Sequence, residues 1–168
     1  MVRSQAGKFH AILATTSIAE AISYYRMFGD QCPELKVTAL FDPNIDNNGS
    51  AIYKEDGLSE ILEGYNKIYG KHFDISSHPA FKRDVAARLA HKGAYKGINR
   101  EPDKQLDLLI VVDQMLTGFD SKWVNTLYLD KELRYEHLIR PSAARTAFLD
   151  QRSLSVPFAT IAIHIPWR

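Results

Sequence analysis

The chain has 168 residues, a hydrophobic fraction of 45% and a formal charge of +1, enough apolar sequence for the core of one domain. The charge excludes a global basic field, so any contact with nucleic acid must come from a local patch. Its single cysteine, Cys32, excludes an internal disulfide and a cysteine metal cluster.

Targeting signals are not found in the sequence. No apolar run approaches the roughly 20 residues of a membrane span, and no signal peptide precedes the first predicted strand. We therefore expect a cytoplasmic module with no membrane partner. The opening residues pass directly into core-like sequence, which is typical of a segment of a longer protein.

The first half of the chain alternates apolar and helical patterns. Residues 9–15, FHAILAT, predict a buried strand, and Thr16 or Ser17 is expected to cap a helix over residues 18–28. Gly29 and Pro33 are expected to end this helix. Residues 36–41 predict a second strand that ends at Asp42-Pro43, and the polar residues 44–57 predict an exposed loop.

The second half begins with two predicted helices. They cover residues 58–69 and 79–91, and the inner face of the later helix holds Phe81, Val85, Ala86 and Leu89. Residues 92–105 predict a basic, flexible loop. Residues 106–113, LDLLIVVD, predict a central parallel strand that is apolar on both faces. A loop over 115–122, a strand over 123–130 and a short helix over 131–139 complete the pattern.

This order of elements predicts an α/β fold, an open and mostly parallel sheet flanked by helices. In such sheets, ligands are bound by the loops at the carboxyl ends of the strands. The rule points to residues 15–17, 42–44 and 114–122.

Familiar catalytic motifs are missing from the sequence. It contains no GxxxxGK[ST] phosphate loop, HExxH, GxSxG, GxGxxG or paired CxxC. The six histidines are scattered without the spacing of metal ligands. We therefore predict no catalytic residue and no metal site in this chain.

The distinctive segment is residues 111–131, VVDQMLTGFDSKWVNTLYLDK. An apolar strand leads into a loop that contains Thr117, Gly118, Asp120 and Lys122. One interpretation is a simple turn, in which Gly118 permits the bend and Asp120 caps it. The other is a loop that offers a hydroxyl, backbone amides and an ammonium group to phosphate oxygens.

A family resemblance favours the second interpretation. LIVVDQMLTGFDSKWVNTLYLDK is similar to the fifth helicase motif of the motor subunits of type I restriction enzymes. GKFHAILATTSIAEAISYY resembles their fourth motif, and KVTALFDPN and DVAARLAHKGAY resemble the segments between. The similarity runs over residues 7–139 and implies the second RecA-like lobe of a helicase of superfamily 2, a fold of the P-loop NTPase type.

The resemblance implies a double-stranded DNA translocase that uses ATP and Mg²⁺ and also carries an endonuclease domain. Its partners would be the first RecA-like lobe and the nuclease domain of the same subunit, together with the methylation and specificity subunits. Because the first lobe supplies the phosphate loop, the chain alone should bind neither ATP nor Mg²⁺ and should be inactive.

Site residues are implied by position. Gly118 and Asp120 would face the ATP cleft, and the DNA backbone would be met by Thr15, Thr16, Ser17, Thr117 and Lys122. For Thr15, Thr16 and Ser17, helix capping alone is an equally good explanation, and Lys122 also suits plain solvation. The alternative function is a non-catalytic RecA-like module that binds protein or DNA. A small α/β enzyme of unrelated chemistry would need an ionisable pocket that the sequence does not indicate.

The resemblance ends after residue 139. The family continues with a sixth motif close to QAFSRTNRL, whereas residues 140–148 read RPSAARTAF. Loss of one base from a suitable choice of codons converts the first string into the second. We therefore expect two regions, the lobe over 1–139 and a divergent, frameshifted tail over 140–168. Sequencing the gene around codon 140 tests this, and the rival hypothesis is a natural tail in which SVPFATIAIHI forms an edge strand.

Overall fold

A computed structural model describes residues 10–42, 51–112, 123–129 and 161–164. Its helices and strands are β1 (His10–Thr15), α1 (Ile18–Gln31), β2 (Val37–Leu40), α2 (Ala51–Tyr69), α3 (His78–Leu89), β3 (Leu108–Val112), β4 (Val124–Leu129) and β5 (Ile161–His164). In this part of the chain one sheet has the order β2-β3-β1-β4-β5. β1 to β4 run parallel, and β5 is antiparallel to β4. The expected α/β fold, an open and mostly parallel sheet flanked by helices in the manner of a RecA-like lobe, is confirmed.

The centre of the core is strand β3. All five of its residues are buried, because it pairs with β2 on one side and β1 on the other and is covered on both faces. The prediction of a central parallel strand is confirmed, although the strand is shorter than residues 106–113. The core around it consists mainly of Leu13, Ile18, Ile22, Leu40, Phe41, Leu58, Ile61, Leu62, Phe81, Val85 and Leu89.

Helix α1 begins where its capping residue predicts. Ser17 is extended and its side chain accepts a hydrogen bond from the Glu20 amide, as an N-cap residue does. The prediction that Gly29 ends the helix is wrong, because α1 continues to Gln31. Gly29 does not adopt the positive φ of a C-terminal glycine cap, so the helical backbone continues through it.

Helix α2 begins earlier than expected. Residues 51–57 were predicted as part of an exposed loop, but α2 begins at Ala51. Gly57 lies within the helix, and α1 packs closely against it. A Cβ at Gly57 would approach the Ile22 side chain to 2.4 Å, and one at Gly64 would approach the Tyr25 hydroxyl to 2.1 Å. The two glycines are seven residues apart, so both face α1.

The next segment is confirmed with adjusted bounds. Helix α3 spans His78–Leu89, and Phe81, Val85 and Leu89 are buried while Ala86 is only half-buried. Arg88 is also buried, which the apolar pattern did not predict. The expected loop at residues 92–105 contains three short 3₁₀ turns, Gly93–Tyr95, Ile98–Arg100 and Pro102–Lys104.

The remaining predictions fall mostly outside the described residues. The predicted loop at 115–122 and the predicted short helix at 131–139 lie outside them. β4 confirms the strand predicted over 123–130, and β5 forms the edge strand of the rival hypothesis for the tail. Within the ranges described above, no helix is long and apolar enough to cross a membrane.

The contact between α1 and α2 predicts the effect of filling each glycine. Gly57→Ala should lower the free energy of unfolding by about 1–3 kcal/mol, because the added methyl group would overlap the fully buried Ile22 side chain. Gly64→Ala should cost less, since Tyr25 is half-buried and its ring can swing outward.

The matched control is Gly29→Ala on α1, where a methyl group meets nothing within 4 Å. It should leave stability unchanged or raise it by up to about 1 kcal/mol through helix propensity. Urea unfolding of the three variants measures this, and equal effects of Gly57→Ala and Gly29→Ala would contradict the close packing.

Candidate functional site

β1 and β3 are adjacent strands whose connections to the next strand lead to opposite sides of the sheet. From β1 the chain passes through α1 to β2 on one side, and from β3 it returns past β1 to β4 on the other. The carboxyl ends of β1 and β3 are neighbours, with Thr15 opposite Val112. Open α/β sheets bind their ligands in the crevice at such a reversal. This carboxyl edge is therefore the candidate site.

The buried side chain of Thr15 fixes the turn between β1 and α1. Its side chain is buried, and its hydroxyl lies 3.2 Å from the carbonyl oxygen of Val111 and 3.2 Å from that of Ser17. A hydroxyl has one proton to donate, so the two carbonyls share it. The contact ties the turn after β1 to the end of β3, and it leaves the outer surface to Thr16 and Ser17.

Thr16 and Ser17 both make hydrogen bonds with Glu20 in the first helical turn. The Glu20 carboxylate accepts hydrogen bonds from the Thr16 amide at 3.0 Å and the Thr16 hydroxyl at 2.5 Å. The Ser17 hydroxyl in turn accepts from the Glu20 amide at 3.2 Å. A carboxylate at this end of a helix is favoured by the helix dipole. These contacts are those of capping, the interpretation left open beside phosphate binding.

Of the other two predicted segments, residues 42–44 and 114–122, the structure describes only Asp42. Asp42 follows β2 at the same edge, and residues 43 and 44 lie outside the described residues. The ring of His78 lies close to Asp42 and makes a hydrogen bond with the backbone of Phe41. Burial lowers the pKa of His78, against an opposing effect of Asp42. Thr117, Gly118, Asp120 and Lys122 lie outside the described ranges, and their assignments stay predictions.

Metal binding has no evident centre in the part of the chain that the structure describes. There, no group of three or more His, Cys, Asp and Glu side chains is arranged to hold an ion. Cys32 is half-buried at the end of α1.

A buried arginine binds the 92–105 loop to the helices. The Arg88 Nε donates to the Tyr65 hydroxyl at 2.9 Å, and its Nη atoms donate to the Lys104 carbonyl and the Tyr95 hydroxyl. Asp84 accepts from the hydroxyls of Tyr65 and Tyr95, both at 2.6 Å. Burial would raise the pKa of Asp84, but these hydrogen bonds outweigh it and the pKa is lowered. We call Tyr65, Asp84, Arg88 and Tyr95 the Arg88 cluster.

A histidine pair joins three elements at the opposite, amino edge of the sheet. His10 is fully buried, and its Nδ1 donates to the Leu106 carbonyl, which can only accept. Its neutral Nε2 therefore accepts from the Nε2–H of His91, 2.8 Å away. His91 stacks on Trp123 with ring centroids 4.2 Å apart. The start of β1, the end of α3 and the start of β4 are held together.

The sequence contains only part of the signal for these groups. Ser17 and Glu20 have the three-residue spacing of a capping box, so their contact was predictable. Asp84 and Arg88 are four residues apart on one helix, which permits an ion pair but does not indicate burial. His10 and His91 are far apart in the chain, and nothing in the pattern of either segment indicates their contact.

Comparison with known proteins identifies the family. Residues 7–153 match the protein-family model described as type I restriction enzyme subunit R domain 3. The type I restriction enzyme SauCOLORF180P endonuclease subunit of Staphylococcus aureus (strain COL) is 30% identical over 162 residues, which cover 92% of this chain. The type I restriction enzyme SsaAORF53P endonuclease subunit of Staphylococcus saprophyticus is 32% identical over an alignment of 142 residues, and the match covers 79% of this chain.

The chain belongs to the family of type I restriction enzyme subunit R domain 3. It spans 16% of the length of the Staphylococcus aureus relative and 14% of that of the Staphylococcus saprophyticus relative. The resemblance predicted from the motifs is confirmed at the level of the family, and the chain corresponds to one domain of a much longer subunit.

The histidine pair predicts a pH dependence of stability. Burial, aided by Arg88, lowers the pKa of His10, against opposing effects of Leu106 and Asp107. The folded chain therefore binds a proton less readily than the unfolded chain, whose histidines titrate near the usual value of about 6.5. Stability should fall as pH drops below this value, until the lowered pKa is reached.

The variant His10→Asn removes the titration. A short amide can still donate to Leu106, so the variant should fold, and between pH 7 and 5 it should lose about 1 kcal/mol less stability than the wild type. His72→Asn, at an exposed position, is the control and should retain the wild-type slope. Parallel pH profiles for wild type and His10→Asn in urea unfolding would rule out this role of His10.

Proposed function

We propose that this domain is the second RecA-like lobe of an ATP-driven translocase of double-stranded DNA, within the restriction subunit of a type I enzyme. The observation that supports it best is the reversal between β1 and β3, which brings Thr16 and Ser17 beside the strand that leads into the TGFDSK segment. Two predicted ligand-binding segments thus leave the sheet side by side.

The proposed roles are divided between the turn after β1 and the segment after β3. Thr16 and Ser17 meet the DNA backbone directly, and Thr15, whose side chain is buried, positions their turn through Val111. Thr117 and Lys122 are proposed to meet the backbone as well. A phosphate at Thr16 must first displace the Glu20 carboxylate, because both anions would use the same amide and hydroxyl.

Nucleotide chemistry is shared with a second lobe in this proposal. ATP and Mg²⁺ would be held mainly by the first lobe, because this chain has no phosphate loop. Gly118 and Asp120 would close the cleft from this side. The chain alone then neither hydrolyses ATP nor cuts DNA. The first lobe and the nuclease domain would be its partners within the subunit, and the methylation and specificity subunits its partners in the whole enzyme.

The domain boundary is also a proposal. We place the lobe in residues 1–139 and treat residues 140–168 as a divergent, frameshifted tail, although the family match continues to residue 153. Strand β5 lies in that tail and pairs with β4, which requires only an apolar edge segment and no helicase motif.

ATP turnover tests the proposed function in two steps. The 168-residue chain should show no turnover above buffer, with or without double-stranded DNA. A chimera of the Staphylococcus aureus COL subunit that carries residues 7–139 of this chain should show DNA-stimulated turnover. Asp120→Asn in the chimera should reduce it by at least about tenfold, through loss of charge organisation around the nucleotide.

Glu55→Gln, at an exposed position of α2, is the matched control and should leave the turnover of the chimera unchanged. Steady turnover by the isolated chain that Asp120→Asn abolishes would contradict the proposal. So would a chimera whose turnover is indifferent to Asp120.

A further inference from the structure

The loop over residues 92–105 forms a surface at the amino edge of the sheet. Its two ends are fixed there, since His91 contacts His10 at the start of β1 and Asp107 binds the Ala11 amide. Strand β1 has six residues, so this surface lies roughly 20 Å from the carboxyl edge at about 3.3 Å per residue. It is separate from the site already described.

Three exposed cations follow each other along this loop. Lys92, Lys96 and Arg100 are four residues apart, and each is exposed. No described carboxylate lies within ion-pairing distance of any of them. Over this stretch the positive charge is therefore available to a ligand.

The two acidic side chains of the loop face other lysines. Glu101 lies 2.5 Å from the Lys104 ammonium, and Asp103 lies 3.9 Å from that of Lys36. They offset charge at the far end of the loop and leave Lys92, Lys96 and Arg100 as a local basic patch.

The backbone between the cations is accessible at two glycines, and hydrogen bonds from below fix its conformation. Gly93 and Gly97 have positive φ angles of 57° and 80°, and no atom lies within 4 Å of where a Cβ would be. Below them Arg88 and Asp84 bind the Tyr95 hydroxyl, and the Gln105 side chain donates to the Ile98 carbonyl at 3.1 Å. A ligand would meet a surface that is already ordered, which lowers the entropic cost of binding.

The chemistry of the surface favours a polyanion over a protein. Ile98 is buried, and the hydroxyl of the half-buried Tyr95 is occupied by Asp84. The loop thus lacks the exposed apolar and aromatic anchors that protein interfaces use. Regular cations around open glycines suit phosphate groups, which bind by charge and fix position without reading sequence.

We propose that Lys92, Lys96 and Arg100 bind the phosphate backbone of double-stranded DNA at the amino edge of this domain. The choice of DNA among polyanions rests on the proposed function, but the location does not. That function places DNA at the carboxyl edge, so this surface provides a second contact on the opposite side of the sheet.

Salt-dependent binding of a fluorescent 20-base-pair duplex by the 168-residue chain tests the proposal. Three phosphate contacts contribute about −2.7 to the slope of log K against log salt, or roughly 40-fold between 50 and 200 mM. The triple variant Lys92→Gln, Lys96→Gln, Arg100→Gln should lose this part of the slope. Because all three side chains are exposed, its thermal unfolding should match the wild type.

The control carries the same loss of charge elsewhere. Arg26→Gln, Lys67→Gln, Arg83→Gln changes exposed residues of α1, α2 and α3 and should leave the slope within about one contact of wild type. An equal fall in both triple variants would show a response to net charge alone and would overturn the proposal. So would no measurable binding at 50 mM salt.

One further arm separates this proposal from the proposed function. If Lys122→Gln weakens binding and the triple loop variant does not, DNA binds only at the carboxyl edge and the loop proposal fails alone. If poly-glutamate displaces the duplex from wild type at equal charge concentration, the loop is a site for acidic polypeptides and the assignment to DNA fails.

Discussion

The parallel pairing of β1 with β3 is the constraint on which the rest of the structure depends. It sets Thr15 opposite Val112, and it does so between two strands whose onward connections lead in opposite directions. Two segments distant in sequence therefore leave the sheet at one point. The Thr15 hydroxyl reinforces the pairing from within, because it contacts the Val111 carbonyl and the turn that starts α1. A shift of this register would separate the segments that the site needs together.

The opposite edge of the sheet is built by polar contacts. His10, His91 and Trp123 join the starts of β1 and β4 to the end of α3. The Arg88 cluster then fixes the loop that leads into β3. Arg88 is 2% exposed, and a charge so buried is tolerated only with its hydrogen bonds satisfied. The amino edge is thus an ordered support for the strands whose other ends carry the candidate site.

Much of this fold could be predicted from local sequence. The run LLIVV gave a buried central strand because a strand covered on both faces has no polar positions, and Ser17 marked the start of α1 because its hydroxyl can bind a free amide. The prediction of a loop over residues 51–57 was wrong for a tertiary reason. The loop was predicted from the polar character of residues 44–57, but α2 already packs against α1 at Gly57, where the missing side chain admits Ile22.

The candidate site was predictable only in part. The rule for carboxyl ends of parallel strands pointed to the turn at Thr15 to Ser17, and the structure shows that this turn lies beside the end of β3. The burial of Thr15 and the hydrogen bond from Thr16 to the Glu20 carboxylate depend on packing and rotamers. A pattern of residue types does not specify either of them. The same holds for His10 and His91, whose contact exists only after the sheet has formed.

An amide titration by NMR tests most directly whether the edge formed by β1 and β3 is where this domain meets DNA. With a short duplex added to the labelled chain, the account predicts that the amide signals of Thr16, Ser17 and Val112 shift together along one binding curve. If these three signals stay unchanged while the duplex binds to saturation, the account is contradicted.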